Sequence, residues 1–424
     1  MPFSPLSLLL GWLIGPASLA ALGFSIFVLW EWVRLIEDMQ SHLPGAGHTT
    51  SAAIAAARSG WGAGVIIACA LWALWSVLGR FVVLAFFRRG QDEPRSVRRG
   101  THAKLTTKDG VRLHVEIEGP EKAPALVMTH GWGLDSTAWY YLRQHLSSRF
   151  RLVTWDLPGL GRSALPTNKD FTVEHLATYL HEVIASVNGP VLLLGHSIGG
   201  MTILTLCRRF PDMMNSKVVG AVLVDTTYTK PLNTILASWL LKLLDRPVIR
   251  PLLYLTIWLA PLVWFWNFLS YLNGCGHLIT CFTSFSSAVT RGQLQFATWF
   301  TIKDDPEVLA RGLLALLRWD ETATLPTISL PVGIVVGGDD RITLPRASKE
   351  MLRLIPRARL TTITPAGHTG LLEQGGRYSE AVAEWVQAAV PPFGFPPAGD
   401  ESPAGVPHWM RRANMDSWLV SVCG

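Results

Sequence analysis

The stretch Val191-Leu-Leu-Leu-Gly-His-Ser-Ile-Gly-Gly200 decides how this chain folds. Its first residues are apolar and predict a buried strand, and the residues after Ser197 predict a helix that continues to Arg209. A serine at so sharp a turn has a strained backbone, and Gly195 and Gly199 leave room where strand and helix nearly touch. The turn holds the hydroxyl at the N-terminus of the helix, where the helix dipole stabilises developing negative charge. We therefore predict a nucleophile elbow with Ser197 as the nucleophile.

The residues on either side repeat this pattern of a strand followed by a helix. Short apolar runs bounded by turn residues occur at 125–128, 152–155, 219–224 and 332–336, an alternating run at 113–117, and helical stretches at 136–147 and 172–187. Repeated units with continuously apolar strands are typical of a parallel sheet that helices cover on both faces. We predict an α/β fold with a mostly parallel sheet, beginning near Lys104.

A second glycine-containing loop, Thr129-His-Gly-Trp-Gly133, directly follows the run at 125–128. A loop of this kind after a strand can direct a backbone N–H towards an oxyanion. We predict that the N–H groups of Trp132 and Ile198 form the oxyanion hole, and that His130 orients the loop.

Candidate acid and base groups follow two later apolar runs. Asp339 and Asp340 come after the run at 332–336, and His368 comes after a run at 360–363. Together with Ser197 they have the chain order serine, acid, histidine that accompanies a nucleophile on a strand–helix elbow. His368 is the predicted base, and either carboxylate is a candidate for the acid.

Five motifs in the expected order carry a resemblance to a known family: HGWG (130–133), DLPGLGRS (156–163), GHSIG (195–199), GGDDR (337–341) and AGH (366–368). Over roughly residues 104–390 the chain resembles the α/β-hydrolases. The family pattern places the acid after G-x-x, which selects Asp340 over Asp339. Some members place it after the sixth strand, where this chain has Asp225, and that alternative stays open.

The resemblance implies a serine hydrolase that transfers an acyl group. A carboxylesterase or lipase acting on a hydrophobic, small-molecule ester is the first interpretation. A thioesterase, an amidase and a C–C bond hydrolase are alternatives, because they use the same catalytic groups. A non-catalytic membrane scaffold on this fold is an alternative that the intact reactive groups disfavour. Epoxide hydrolases are disfavoured because they need a carboxylate at the elbow. No H-E-x-x-H motif or close cluster of ligating residues occurs, so we predict no metal and no other cofactor.

The composition predicts that part of the chain lies in a membrane. Apolar residues make up 49% and charged residues only 16% of the 424 residues, and 18 are Trp. Largely uncharged runs predict two transmembrane helices, about 6–30 and 61–87, followed by a basic collar at 88–99 with five Arg. A cleaved signal peptide fits the first run less well, because no basic N-terminal region precedes it.

The distribution of positive charge predicts the orientation in the membrane. The loop between the two helices is poor in Lys and Arg and the collar is rich, so the positive-inside rule places the catalytic domain of this integral membrane protein in the cytoplasm. The formal net charge of +6 comes without a nucleic-acid-binding motif. Membrane lipid, not nucleic acid, is therefore the predicted macromolecular environment, and the oligomeric state is left open.

These features divide the chain into a membrane anchor (1–100), a hydrolase core in two parts (101–228 and 330–390), a helical cap (229–329) and a disordered tail (391–424). The cap contains an uncharged run at 252–272 that is long enough to span a bilayer. A single crossing there would separate Ser197 from Asp340 and His368. We therefore expect the run to re-enter, lie at the interface or be buried in the cap, with Pro261 dividing it into two short helices. A cap that dips into the bilayer would admit a lipophilic substrate from it.

Overall fold

The computed structural model describes residues 4–42, 48–96 and 100–389. The expected tail at 391–424, and Arg98 and Arg99 of the basic collar, lie outside this part of the chain. One sheet contains β1 (Thr101–Thr106), β2 (Arg112–Glu118), β3 (Ala125–Thr129), β4 (Arg151–Trp155), β5 (Val191–His196), β6 (Val218–Val224), β7 (Val332–Gly337) and β8 (Ala358–Ile363).

The order across the sheet is β1-β2-β4-β3-β5-β6-β7-β8. β2 pairs antiparallel with β1 and with β4, and all the other pairs are parallel. The prediction of a mostly parallel sheet is confirmed. Because parallel strands end at the same edge, the loops after β3, β5, β7 and β8 can meet there.

Helices precede the sheet, connect its strands and follow it. The N-terminal helices are α1 (Pro5–His42), α2 (His48–Arg58) and α3 (Ala63–Ala85). Between β3 and β6 lie α4 (Tyr140–Leu146), α5 (Val173–Ser186), α6 (Ile198–Arg209) and α7 (Pro211–Ser216). Between β6 and β7 lie α8 (Pro231–Thr234), α9 (Ser238–Leu244), α10 (Arg250–Trp258), α11 (Ala260–Leu272), α12 (Cys275–Ser284), α13 (Arg291–Lys303) and α14 (Pro306–Leu316). The last helices are α15 (Pro345–Leu354), α16 (Gly370–Glu373) and α17 (Gly375–Ala389).

The two faces of the sheet bury alternate side chains of the same strands. In β3, Val127 belongs to the core that includes Leu176 of α5, whereas Leu126 and Met128 belong to the core that includes Leu142 of α4. This division follows from the strand geometry, in which successive side chains point to opposite faces. Burial on both faces explains why the central strands read as continuous apolar runs.

Two of the described helices, α1 and α3, are long and apolar enough to cross a membrane, as the sequence predicts. However, α1 continues to His42 instead of ending near residue 30. The apolar run stops at Glu31, but the residues beyond it include good helix formers that prolong the helix. At about 1.5 Å per residue, its 38 residues are about 57 Å long. This exceeds the roughly 30 Å of a hydrocarbon core, so α1 is long enough to extend beyond a bilayer.

The uncharged run at 252–272 forms two helices, as its central proline predicts. The first, α10, ends at Trp258, and α11 begins at Ala260. Pro261 lies in the first turn of α11, where its missing N–H leaves no intrahelical bond unmade. The helical segment Ser238–Trp258 and α11 are bent by 100° and together are apolar enough to cross a membrane. Their shape is that of a broken span or a re-entrant loop.

The N-terminal helices pack directly on the helices between β6 and β7. Nε1 of Trp12 donates to Thr256 Oγ1 at 2.9 Å, and the Trp12 ring meets Trp266 edge-on with 4.8 Å between centroids. A Cβ on Gly15 would lie 2.8 Å from the Trp266 ring, and one on Gly79 would lie 2.4 Å from a backbone oxygen at the end of α11. Glycine at these positions lets α1 and α3 approach closely, so these helices form one packed body.

Candidate active site

Ser197 lies between β5 and α6, in the strained turn that the sequence predicts. Its φ of 55° and ψ of −117° are unfavourable for a residue with a side chain. A Cβ on Gly195 would lie 2.5 Å from the backbone of Gly199, and one on Gly199 would lie 2.1 Å from the Thr129 carbonyl oxygen. Both glycines are therefore needed for the strand and the helix to approach each other here.

The structure brings Ser197, His368 and Asp340 together at the carboxyl ends of β5, β8 and β7. Nε2 of His368 lies 3.0 Å from Ser197 Oγ, and its Nδ1 lies 2.8 Å from Asp340 Oδ2. All three residues are buried. With its proton on Nδ1, the imidazole presents a free lone pair on Nε2 to the serine hydroxyl. This arrangement can remove the hydroxyl proton as the serine oxygen attacks an electrophile.

Hydrogen bonds hold Asp340 as a charged acceptor. Oδ1 accepts the N–H groups of Ile342 at 2.7 Å and Thr343 at 2.9 Å, and Oδ2 accepts the Thr343 hydroxyl at 2.6 Å. Burial raises the pKa of Asp340, but the charge of His368 and these hydrogen bonds outweigh burial and keep this pKa below its ordinary value. Burial lowers the pKa of His368, and Asp340 offsets this only in part. At neutral pH the pair is a carboxylate beside a neutral imidazole.

The two alternative acids have other surroundings. Asp339 is exposed to solvent. Asp225 is buried at the end of β6, where its Oδ1 accepts the Gly337 N–H at 2.7 Å and the Tyr378 hydroxyl at 3.2 Å. Within the described residues its Oδ2 has no hydrogen-bond partner. Burial, together with the charge of Asp340, raises the pKa of Asp225 well above its ordinary value.

The loop after β3 supplies one of the two amides that the sequence assigns to an oxyanion hole. Among the described residues, the backbone N–H groups of Trp132 and Ile198 donate no hydrogen bond, although both residues are fully buried. Unused buried donors are rare, and an oxyanion hole requires them. His130 orients this loop, because its Nε2 accepts the Leu157 N–H at 2.9 Å while its Nδ1 donates to the Gly131 carbonyl at 2.9 Å.

Two residues that the sequence reasoning missed hold the loop that carries His368. His196, at the end of β5, donates from Nε2 to the His368 carbonyl oxygen at 2.9 Å. Glu373, in α16, accepts the Gly367 N–H at 2.9 Å and the Ser286 N–H at 3.1 Å. His196 adjoins the elbow serine and could have been suspected for that reason. No local pattern marks Glu373, because Ser286 reaches it from a distant part of the chain.

Comparison with known proteins agrees with this fold. A model of a family described as the alpha/beta hydrolase family matches residues 126–385. The chain belongs to this family. Pimeloyl-(acyl-carrier protein) methyl ester esterase of Nitrosomonas europaea is 29% identical over 266 residues, which are 61% of this chain and 94% of that protein. Epoxide hydrolase 4 of Homo sapiens is 28% identical over 153 residues, 34% of this chain and 42% of that protein. A malate-bound thermophilic esterase from Thermogutta terrifontis has a TM-score of 0.56 at 23% identity, over 68% of this chain and 99% of that one, and shows the fold alone.

In this α/β hydrolase the candidate site is closed. Ser197 and His368 expose none of their surface. The segment at 284–290, from the last residue of α12 to the start of α13, lies against the loop that carries His368: the Ser284 carbonyl accepts both the N–H and the hydroxyl of Thr369 at 2.9 Å. A Cβ on Gly367 would lie 2.6 Å from the backbone of Phe285. A substrate can therefore reach Ser197 only when a covering segment moves.

A group of potential metal ligands lies outside this site, on β1 and β2. The ligating atoms of His102, His114 and Glu116 lie within 4.8 Å of one another. Glu116 already accepts a hydrogen bond from His114 Nε2 at 2.9 Å and pairs with Arg143 Nη1 at 2.6 Å. Because protein groups balance its charge, the cluster gives no argument for a bound metal.

Proposed function

We propose that this α/β hydrolase is a serine hydrolase that cleaves an ester bond of a hydrophobic substrate through an acyl-enzyme. The observation that carries the proposal is the continuous hydrogen-bonded path from Ser197 Oγ to His368 Nε2 (3.0 Å) and from His368 Nδ1 to Asp340 Oδ2 (2.8 Å). An ester substrate is supported by the similar Nitrosomonas europaea protein, which is named as a methyl ester esterase.

The proposed reaction has two steps. In the first, Ser197 Oγ attacks the carbonyl carbon while His368 Nε2 takes the hydroxyl proton, and the N–H groups of Trp132 and Ile198 stabilise the oxyanion. The leaving alcohol departs with the proton from Nε2. In the second, His368 takes a proton from water, the resulting hydroxide attacks the acyl-enzyme, and the acid is released as Ser197 regains its proton. Asp340 remains ionised and stabilises the imidazolium in both steps.

Exposed apolar side chains on α10 and α11 support a substrate that comes from the bilayer. Trp258 is 78% exposed and Tyr254 is 56% exposed, and both lie on the helix that Trp12 of the N-terminal anchor contacts. An exposed apolar patch on an otherwise polar surface marks an interaction site, and Trp and Tyr favour the membrane–water interface. We assign α10 and α11 to the membrane. The hydrolase core, which follows the basic collar in the chain, is assigned to the cytoplasmic side.

The chemical part of the proposal is tested by labelling the full-length protein with a fluorophosphonate probe and by hydrolysis of p-nitrophenyl esters of increasing chain length. We expect the wild type to react with the probe and Ser197→Ala to lose both labelling and turnover, because no other nucleophile takes its place. The matched control is Ser329→Ala, since Ser329 is exposed and lies away from the elbow. This variant should label as the wild type does.

The outcomes separate the alternatives. Labelling that persists in Ser197→Ala would contradict the assignment of the nucleophile. A folded wild type that neither labels nor turns over any substrate would indicate a non-catalytic scaffold. Faster turnover of a thioester or an amide than of the ester with the same acyl chain would indicate a thioesterase or an amidase. Lipid analysis of cells with the wild type and with Ser197→Ala would then identify the substrate that accumulates.

Membrane contact is tested with an environment-sensitive fluorophore on a cysteine introduced by Trp258→Cys. We expect its emission to shift to the blue when the protein is reconstituted in a bilayer. Leu352→Cys is the control, because Leu352 is 39% exposed on α15, a helix of the sheet domain. Equal emission at both positions would contradict contact between α10 and lipid.

A further inference from the structure

A cleft of about 820 Å³ lies where α3, the segment that follows it and α13 meet. Four arginines line it: Arg80 comes from α3, Arg89 and Arg95 from the following segment, and Arg291 from the first turn of α13. We call this site the arginine cleft. Its lining includes none of the candidate active-site residues.

The positive charge of the arginine cleft is not balanced by ion pairs within the described residues. The acidic residue in its lining is Glu93, and in the part of the chain that the structure describes neither of its oxygens pairs with an arginine of the cleft. Oε1 accepts the Gly90 N–H at 2.5 Å, and Oε2 accepts the Thr290 hydroxyl at 2.7 Å. Like charges gathered in one concave site repel one another and raise the local concentration of anions. The cleft is therefore built to receive a negatively charged group.

Aromatic residues place the cleft at the boundary of the membrane. The guanidinium carbon of Arg80 lies 5.2 Å from the centroid of the Tyr271 ring, and Trp299, also in the lining, is 45% exposed. Tyr and Trp concentrate at the level of the lipid headgroups. Arg80 precedes the end of α3 at Ala85 by five residues, which corresponds to about 7.5 Å along the helix axis. The cleft thus opens at the end of a helix that is long enough to span the membrane.

We propose that the arginine cleft binds the phosphate group of an anionic bilayer lipid. Guanidinium groups donate paired, charge-assisted hydrogen bonds to phosphate oxygens, and several of them surround one site here. The aromatic side chains suit the boundary between the headgroup and the acyl chains. Because the four arginines come from three parts of the chain, one bound lipid links the membrane helix α3 to α13. The binding site does not depend on the chemistry at Ser197.

The test is native mass spectrometry of the full-length protein in detergent, after incubation with phosphatidylglycerol or phosphatidylcholine. We expect the wild type to retain one phosphatidylglycerol molecule in preference to phosphatidylcholine. An arginine near an anionic lipid surface contributes about a fivefold gain in affinity, so Arg89→Gln combined with Arg291→Gln should lower retention about thirtyfold. Arg318→Gln is the matched control, since Arg318 is exposed and lies outside the cleft.

Other measurements complete the test. Thermal unfolding in phosphatidylcholine should be the same for the double variant and the control, which shows that the double variant is folded. The proposal would be overturned if the wild type retained the two lipids equally, or if the double variant retained as much phosphatidylglycerol as the wild type. Displacement of the lipid by millimolar inorganic phosphate or glycerol 3-phosphate would also overturn it, because the ligand would then be a soluble phosphate. Ser197→Ala should bind the lipid normally, so failure of the proposed hydrolase activity and failure of this site can be told apart.

Discussion

Replacement of Asp340 by asparagine identifies the acid of the proposed mechanism, because the surroundings of this side chain specify the outcome. In Asp340→Asn the amide oxygen can keep the two backbone N–H bonds that Oδ1 accepts from Ile342 and Thr343. The amide NH₂ then occupies the place of Oδ2, which faces Nδ1 of His368 at 2.8 Å. Two donors cannot bond each other, so the imidazole must move its proton to Nε2. In that tautomer His368 cannot accept the proton of Ser197.

The expected loss is large and falls on kcat. A triad with the wrong histidine tautomer typically loses about 10⁴ in kcat, which is about 5.4 kcal/mol at about 1.36 kcal/mol per tenfold change. Asp225→Asn and Asp339→Asn are the matched controls. Burial raises the pKa of Asp225, and its Oδ1 accepts hydrogen bonds from the protein. An asparagine can keep these contacts of Asp225, and Asp339 is exposed to solvent. Both controls should therefore retain kcat within a few-fold.

The assay compares steady-state hydrolysis of one p-nitrophenyl ester by the wild type and the three variants. Fluorophosphonate labelling measures the reactivity of Ser197 in parallel, and thermal unfolding confirms that each variant is folded. The reasoning is refuted if Asp340→Asn keeps more than a tenth of wild-type kcat. A loss in Asp225→Asn that equals the loss expected for Asp340→Asn would instead identify the carboxylate after β6 as the acid.

Three further predictions concern the elbow, the base and a buried carboxyl. Gly199→Ala should destabilise the fold by about 3 kcal/mol by overpacking, because its Cβ would lie 2.1 Å from a carbonyl oxygen of β3. Gly376→Ala is the control: no atom of the described residues lies within 4 Å of its Cβ beyond its own helix and chain neighbours, so the Tm should not fall. Burial lowers the pKa of His368, so kcat/KM should fall in acid with an apparent pKa below about 6.5, the ordinary imidazole value. A midpoint of the pH–rate profile above that value would contradict a buried, neutral base. Burial raises the pKa of Asp304 to about 8, so the folded state keeps a proton that the unfolded chain loses above about pH 4. The contribution of Asp304 to native stability therefore falls between about pH 4 and about pH 8. Asp304→Asn should have a higher Tm than the wild type at pH 8 but not at pH 4, and parallel Tm curves would contradict this.

Most of the sheet could be predicted from the sequence because its inner strands are buried on both faces. Runs such as 191–194 and 332–336 are continuously apolar and correspond to β5 and β7. The first strand, Thr101–Thr106, was missed. It lies at the edge of the sheet and its sequence, THAKLT, is largely exposed and polar. An edge strand of this composition obtains its structure from pairing with β2, which no local pattern reveals.

The residues of the candidate site that could be predicted are those that belong to short sequence motifs. The glycines around Ser197 and the carboxylate and histidine after β7 and β8 can be recognised in the sequence, because strand ends of a parallel sheet converge. Thr343 was missed, although it follows Asp340 by three residues and its hydroxyl returns to the same carboxylate. Glu373 could not have been found, since its contact with Ser286 depends on how the segment at 284–290 folds over the site. The raised pKa of Asp225 is likewise a result of burial, which the sequence does not give.

The N-terminal helices pack on the same group of helices that leads into the segment at 284–290. The helices that bury the site are held at two ends. At one end, Trp12 and Trp266 pack α1 on α11 through an apolar contact that a bilayer leaves intact. At the other, Glu373 holds the segment at 284–290 through hydrogen bonds to backbone groups, which water can replace when the segment moves outward. Outward movement of this segment must also expose Phe285 and Val289, which are buried in the apolar core on one face of the sheet. Because Ser284 and Phe285 contact Thr369 and Gly367 on either side of His368, movement of this segment would uncover the loop that carries the proposed base.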